Sequence, residues 1–329
     1  MSFRSADGAV TLAGTLAVPP TGRTAPAVVL VSGTGPVDRN VTFAGHTLFR
    51  VTAHQLARAG IASLRFDKRG VGESEGDFSA AGPDDFVADV IGAVEYLVDG
   101  EGFAGERTGL VGHSEGGLVA LTAASRMPRV PFCVLLASPL LSGMDNFVRS
   151  FALLARGSFQ RDAEYDQCVS DLATMLEIAR TDEAPERDTR ALEIATRLAP
   201  RVFNERTAVI LGASSKSGAD FLSLLSSPCL ETYLSWAPSQ IVPLLTCPVL
   251  IVYASKDVQA PARENLVAAH ALLGHRRKED WVILEMTDMN HAFQRCTTGM
   301  PDEYESIDHV MADEVLDEVS AWIHSRIPE

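Results

Sequence analysis

Four short runs, APAVVLVS, IASLRF, RTGLVG and PFCVLLAS, are apolar at nearly every position. They alternate with stretches of helical periodicity, HTLFRVTAHQLARAG, DDFVADVIGAVEYLV and GGLVALTAASRM. A strand that is apolar throughout is buried on both faces, and a helix between two such strands is the crossover that a parallel pair requires. The pattern predicts an α/β fold built on a mostly parallel, doubly wound sheet. Ahead of it, GAVTLAGTLAVPP alternates polar and apolar residues with an interruption at Gly14, which predicts a pair of antiparallel strands. Between Ser142 and Leu245 the alternation stops over a span too long for a loop in a compact domain. Here NFVRSFALLARG, DAEYDQCVSDLATMLEIART and ALEIATRLAPRV carry apolar residues at helical spacings. A helical cap over residues 142–245 is expected, inserted in a core domain formed by 1–141 and 246–329. The strands CPVLIVYA and DWVILEM and the amphipathic helix MADEVLDEVSAWIHSRI complete that core.

The junction between RTGLVG and GGLVALTAASRM contains GHSEGGL, a G-x-S-x-G pentapeptide at a strand-to-helix turn. In that context the turn lifts the serine oxygen beyond the end of the sheet. So tight a turn drives Ser114 towards positive φ, and side chains at Gly112 and Gly116 would collide with the neighbouring strand and helix. A glycine-rich turn holding an idle serine has the same sequence, so the partners decide between the two.

A serine hydroxyl becomes a nucleophile when an imidazole takes its proton and an acid orients that imidazole. Of the eight histidines, His113 adjoins Ser114 on a tight turn, where successive side chains point apart. His46, His54, His270, His275, His309 and His324 lie in or beside expected helices, where exposed polar positions explain them. His291 follows the last strand in the loop TDMNHAF, and the carboxyl ends of parallel strands are where an open α/β sheet gathers its site. By the same logic Asp257, in YASKDVQAP after the penultimate strand, is the candidate acid. Asp288 competes with it but sits on the histidine's own loop, and it reads better as a turn-forming residue. The order serine, acid, histidine is that of the α/β-hydrolases.

An oxyanion hole requires two N–H groups aimed at developing negative charge. Glu115, directly after the serine at a helix N-terminus, supplies one. Thr34 in SGTGPVDRN is the candidate for the other, with Gly33 and Gly35 letting the backbone approach a substrate as binding positions. No G-K-[ST] follows, so this stretch is not a phosphate loop.

Composition narrows the partners. The chain of 329 residues has 28 Lys and Arg against 43 Asp and Glu, a net charge of −15. Its one short basic run, at Arg276, is neutralised by its own acids, so nucleic acid and anionic membrane are not expected partners. No apolar span is long enough to cross a bilayer and no leader is apparent, so the expected compartment is the cytoplasm. The five cysteines are scattered without metal spacing and are expected to be reduced. No cofactor or metal is expected. The expected partner is a small acyl ester or thioester, with a homodimer left open.

With these residues in place, the sequence resembles the bacterial serine carboxylesterase-like branch of the α/β-hydrolase superfamily, which carries a helical cap. The resemblance runs through LAGTLAVP, VSGTGPVDRN, RFDKRGVGES, GHSEGG, CPVLIVYASKDVQAP, MNHAFQ and the EYESI tail. It implies nucleophile, acid and base at Ser114, Asp257 and His291, and mainly structural roles for Asp67 and Arg69. The expected activity is ester hydrolysis through an acyl-enzyme. A thioesterase, acyltransferase or cyclase would use the same intermediate, and a binding protein would use the scaffold without it.

Overall fold

The structure, a computed structural model, describes residues 1–181, 185–202, 217–225 and 227–327. The strands of the main sheet are β1 (Ser2–Arg4), β2 (Thr11–Ala17), β3 (Ala27–Val31), β6 (Ala62–Phe66), β7 (Thr108–His113), β8 (Cys133–Leu136), β9 (Val249–Ala254) and β10 (Trp281–Met286). A separate two-stranded ribbon pairs β4 (Thr42–Phe43) with β5 (His46–Thr47). The eight-stranded sheet runs β1-β2-β6-β3-β7-β8-β9-β10. Pairing is antiparallel at β1-β2 and β2-β6 and parallel from β6 to β10.

From β3 the chain first moves outward to β6 and then returns to the other side of β3 with β7. The order therefore reverses at β3 and β7, and a crevice opens there beyond the carboxyl ends of the strands. The helices α1 (Leu48–Arg58), α2 (Pro83–Glu95) and α3 (Glu115–Arg126) make the first crossovers. Between β8 and β9 lie α4 (Gly143–Ala155), α5 (Asp162–Thr181), α6 (Pro185–Val202), α7 (Gly218–Leu225) and α8 (Pro228–Ser235). After them come α9 (Ala262–Leu273) and α10 (Asp313–Arg326).

Alternation along each strand divides the core in two. Val29, Val31, Leu110, Leu135 and Ile251 face α2 and α3, and their cluster continues into Phe147, Phe151, Leu172, Leu198 and Phe221 of the helices between β8 and β9. Val28, Leu30, Val111, Val134 and Leu250 face the other way, against Leu48, Phe49 and Leu56 of α1 and Val315, Leu316 and Ile323 of α10.

The opening of the chain differs from its expected form. GAVTLAGTLAVPP holds one strand, β2, whose partner is the upstream Ser2–Arg4. Gly14 does not interrupt the strand: a Cβ there would stand 3.0 Å from the Arg65 carbonyl oxygen and 3.1 Å from Leu64 Cδ1, so glycine lets β2 close on β6. The expected helix at His46 begins at Leu48, because Ala44 and Gly45 at positive φ turn the β4–β5 ribbon first.

Candidate active site

Ser114 stands between β7 and α3 with φ 56° and ψ −130°, a conformation that non-glycine residues rarely adopt. The two glycines of the pentapeptide explain how the bend is accommodated. A Cβ at Gly112 would lie 2.4 Å from the Gly116 carbonyl oxygen, and one at Gly116 would lie 2.1 Å from the Val31 carbonyl oxygen. The turn is pressed between α3 and β3, as the sequence predicts.

His291 and Asp257 meet across the ends of β9 and β10. His291 Nδ1 donates to Asp257 Oδ2 at 2.7 Å, which in the neutral ring assigns Nε2 as the acceptor nitrogen, the one that can act as a base. The other carboxylate oxygen, Oδ1, accepts from the backbone N–H groups of Gln259 (2.7 Å) and Ala260 (2.9 Å), so the acid is held at both ends. Asp288 faces away: it is exposed, at φ 58°, and pairs with Lys256 Nζ at 2.8 Å. That cation holds the Asp288 carboxyl below its ordinary range.

The His291 loop is set by two buried amides. Asn290 Oδ1 accepts from Ala292 N and Gln294 N, and Asn290 Nδ2 donates to Gln294 Oε1. Gln294 Nε2 in turn reaches the carbonyls of Tyr304 and His309.

His113, unsuited to be the base, has another task. Its Nε2 donates to the His291 backbone carbonyl at 2.9 Å, and the two rings lie 4.9 Å apart. The residue before the serine thus grips the loop that carries the candidate base. Burial, and then the neighbouring His291, lower the His113 pKa to about 3, so its ring is neutral. Among the described residues no hydrogen bond joins Ser114 Oγ to His291. Two other histidines also differ from the expected exposed polar positions. His46 Nε2 donates to the Tyr304 carbonyl, and His309 Nε2 accepts from Arg295 N.

The loop after β3 lies against the serine. A Cβ at Gly33 would stand 3.0 Å from Ser114 Cβ and 3.5 Å from Ser114 Oγ, so a larger residue there would press on the serine. Gly35 has φ 95°, and Thr34 between them is exposed. Among the described residues, the backbone N–H groups of Thr34 and Glu115 make no hydrogen bond. Asp67 braces the far end of this loop through Arg39, accepting from its backbone N–H (2.7 Å), Nε (3.0 Å) and Nη2 (2.6 Å). Arg69 is spent on Asp89 and Asp85 of α2.

The comparisons with known proteins agree with this architecture. A family model described as Hydrolase_4, serine aminopeptidase S33, matches residues 45–162. Esterase EstD of Thermotoga maritima is 25% identical over 326 residues, covering 98% of this chain and 68% of that protein. The ferulic acid-bound Est1E from Butyrivibrio proteoclasticus aligns with a TM-score of 0.56 at 16% identity, over 99% of both chains. The α/β hydrolase GrgF from a Penicillium species aligns with a TM-score of 0.61 at 17% identity, over 99% of this chain and 98% of that one. The chain has the α/β-hydrolase fold, and its sequence is similar to an esterase.

Within this fold the helical segment between β8 and β9 reaches the site through residues whose sequence pattern carries no signal of it. Glu115, 2% exposed, accepts a hydrogen bond from Trp236 Nε1 at 3.0 Å. Asn146 of α4 donates to Tyr233 Oη (2.6 Å) and to the Gln259 carbonyl (2.8 Å), and it accepts from Asn265 Nδ2. A polar chain therefore links these helices to the Asp257 loop. Burial pushes the Tyr233 hydroxyl well above its ordinary pKa, so it stays protonated. Among the described residues there is no grouping of three metal-ligating side chains, and no helix is long and apolar enough to cross a membrane. Cys133, Cys168, Cys247 and Cys296 are free thiols, and the side chain of Cys229 lies outside the described residues.

Proposed function

We propose that the protein is a serine hydrolase that cleaves carboxylic esters of small, fairly apolar acids or alcohols through an acyl-enzyme. Ser114 Oγ attacks the carbonyl carbon while His291 Nε2 takes the hydroxyl proton. Asp257 holds the ring and stabilises the imidazolium. The carbonyl oxygen becomes an oxyanion facing the N–H groups of Thr34 and Glu115, where the α3 N-terminus also favours negative charge. Collapse breaks the ester bond, and the alcohol leaves with the proton from His291. A water molecule, activated by the same imidazole, then releases the acid and regenerates the serine. The segment 142–245 acts as the cap that bounds the acyl pocket. The compartment on this reading is the cytoplasm.

One observation carries the reading. An imidazole bonded to a doubly anchored carboxylate sits on a loop clasped by the residue that precedes a positive-φ serine. The esterase name of the Thermotoga relative supports the substrate class. Ser114→Ala should abolish p-nitrophenyl acetate turnover, leaving no more than about a thousandth of the rate, and should prevent labelling by a fluorophosphonate probe. A folded Ser114→Ala protein that still turned over the ester would refute the assignment.

A further inference from the structure

Lys68 is an unusual residue to find inside the fold. It follows Asp67 at the end of β6 and is 6% exposed, with Nζ 4.9 Å from the centre of the Phe86 ring and 5.7 Å from that of Phe78. Taking an ammonium out of water costs several kcal/mol unless its donors are well used. An apolar side chain would fill the space beside the two rings without that cost. Lys68 Nζ spends one donor on the Gly33 carbonyl oxygen, at 2.5 Å.

That acceptor belongs to a particular peptide. The unit Gly33–Thr34 is planar and trans, so its C=O and its N–H point in opposite directions. Lys68, approaching from the buried side of the loop, fixes the carbonyl inward. The Thr34 N–H of the same plane therefore points away from Lys68; it has no hydrogen-bond partner among the described residues, and the adjoining Gly33 lies against Ser114. A cation on the carbonyl also polarises the amide and strengthens its N–H as a donor.

We infer that Lys68 is a positioning residue for the oxyanion hole, locking the Gly33–Thr34 peptide so that the Thr34 N–H meets the negative charge that develops during acyl transfer. The inference rests on the serine hydrolase reading. It adds a residue that never touches the substrate and acts through a carbonyl on the far side of a peptide plane. The Arg39–Asp67 bridge, by contrast, anchors the loop farther along, where a lost contact would loosen the loop as a whole.

The test uses Lys68→Met, which removes the donor, and Lys68→Gln, which keeps an uncharged one. With p-nitrophenyl acetate, Lys68→Met should lower kcat about 100-fold, the scale of losing one oxyanion donor, with KM within about threefold. Lys68→Gln should fall between it and the wild type. Affinity for a trifluoromethyl ketone, whose hemiketal carries the oxyanion, should weaken by the same factor as kcat/KM. In the wild type, the Thr34 amide proton should move downfield when the ketone binds, a readout that holds even if a variant fails to fold. A folded variant with unchanged kcat, a loss confined to KM, retained ketone affinity, or an unmoved Thr34 resonance would each overturn the inference. Failure of the underlying reading is distinguishable, because wild-type Ser114 would then resist the fluorophosphonate probe whatever stands at position 68.

Discussion

Two adjacent residues, His113 and Ser114, divide the work at the end of β7: one is buried and structural, the other is turned to positive φ and presented. The neutral state of His113 has a measurable consequence. Its folded pKa, about 3, lies below the ordinary histidine value, so the unfolded chain binds the extra proton first as pH falls. Its contribution to stability is complete above about pH 6.5 and declines on acidification until the folded ring itself titrates. A His113→Gln variant should therefore show a shallower loss of stability between pH 6.5 and 4 than the wild type, measured by urea midpoints. Parallel curves would show that the ring does not govern this limb. That His291 pairs with Asp257 rather than Asp288 was legible because Asp288 sits on the histidine's own turn, and the structure pairs that residue with Lys256. The roles of His113 and Lys68 were not legible. Each acts through a backbone carbonyl of a distant loop, and a carbonyl leaves no trace in residue identity.

At the scale of elements, the strand-turn-helix unit is the best determined part of the chain. Gly116 passes so close to Val31 that a methyl group there would force β3 and α3 apart. Gly116→Ala should cost about 1–3 kcal/mol in chemical denaturation and should displace the loop after β3, lowering ester turnover more than stability alone explains. Unchanged activity and stability would mean that the turn relaxes freely. The parallel strands were readable because burial on both faces leaves no polar alternation, and β3, β7 and β9 are buried along their whole length. The first strand pair was misread because the alternation in GAVTLAGTLAVPP is produced by one strand with glycine at its closest contact. Its true partner, three residues long, is too short to carry a pattern. Among the helices between β8 and β9, periodicity showed helical character, but not that Trp236 and Asn146 reach the site, since side chains of helices and loops meet by tertiary packing rather than by spacing.

For the molecule as a whole, the two faces of the sheet carry different burdens. The face under α2 and α3 continues into the helices near the serine, whereas the opposite face is closed by α1 and α10 and meets the site only where Met289 and Phe293 flank His291. Trp322 of α10, packed edge-on to Phe132 at 6.1 Å, belongs to that second face. Trp322→Ala should therefore remove about 3–5 kcal/mol of stability, read by urea denaturation. It should leave the fluorophosphonate labelling rate of the folded fraction within about twofold of wild type. A large fall in labelling would show that the faces are coupled.

The groups joined at the site are spread widely along the chain: Asp257 and His291 are 34 residues apart, and His113 grips a carbonyl 178 residues downstream. On the ribosome, the hydroxyl emerges long before the imidazole that would arm it. On the proposed mechanism, the serine of a nascent chain stays unarmed towards the acyl compounds around it until the segment that carries His291 has been made and has folded back.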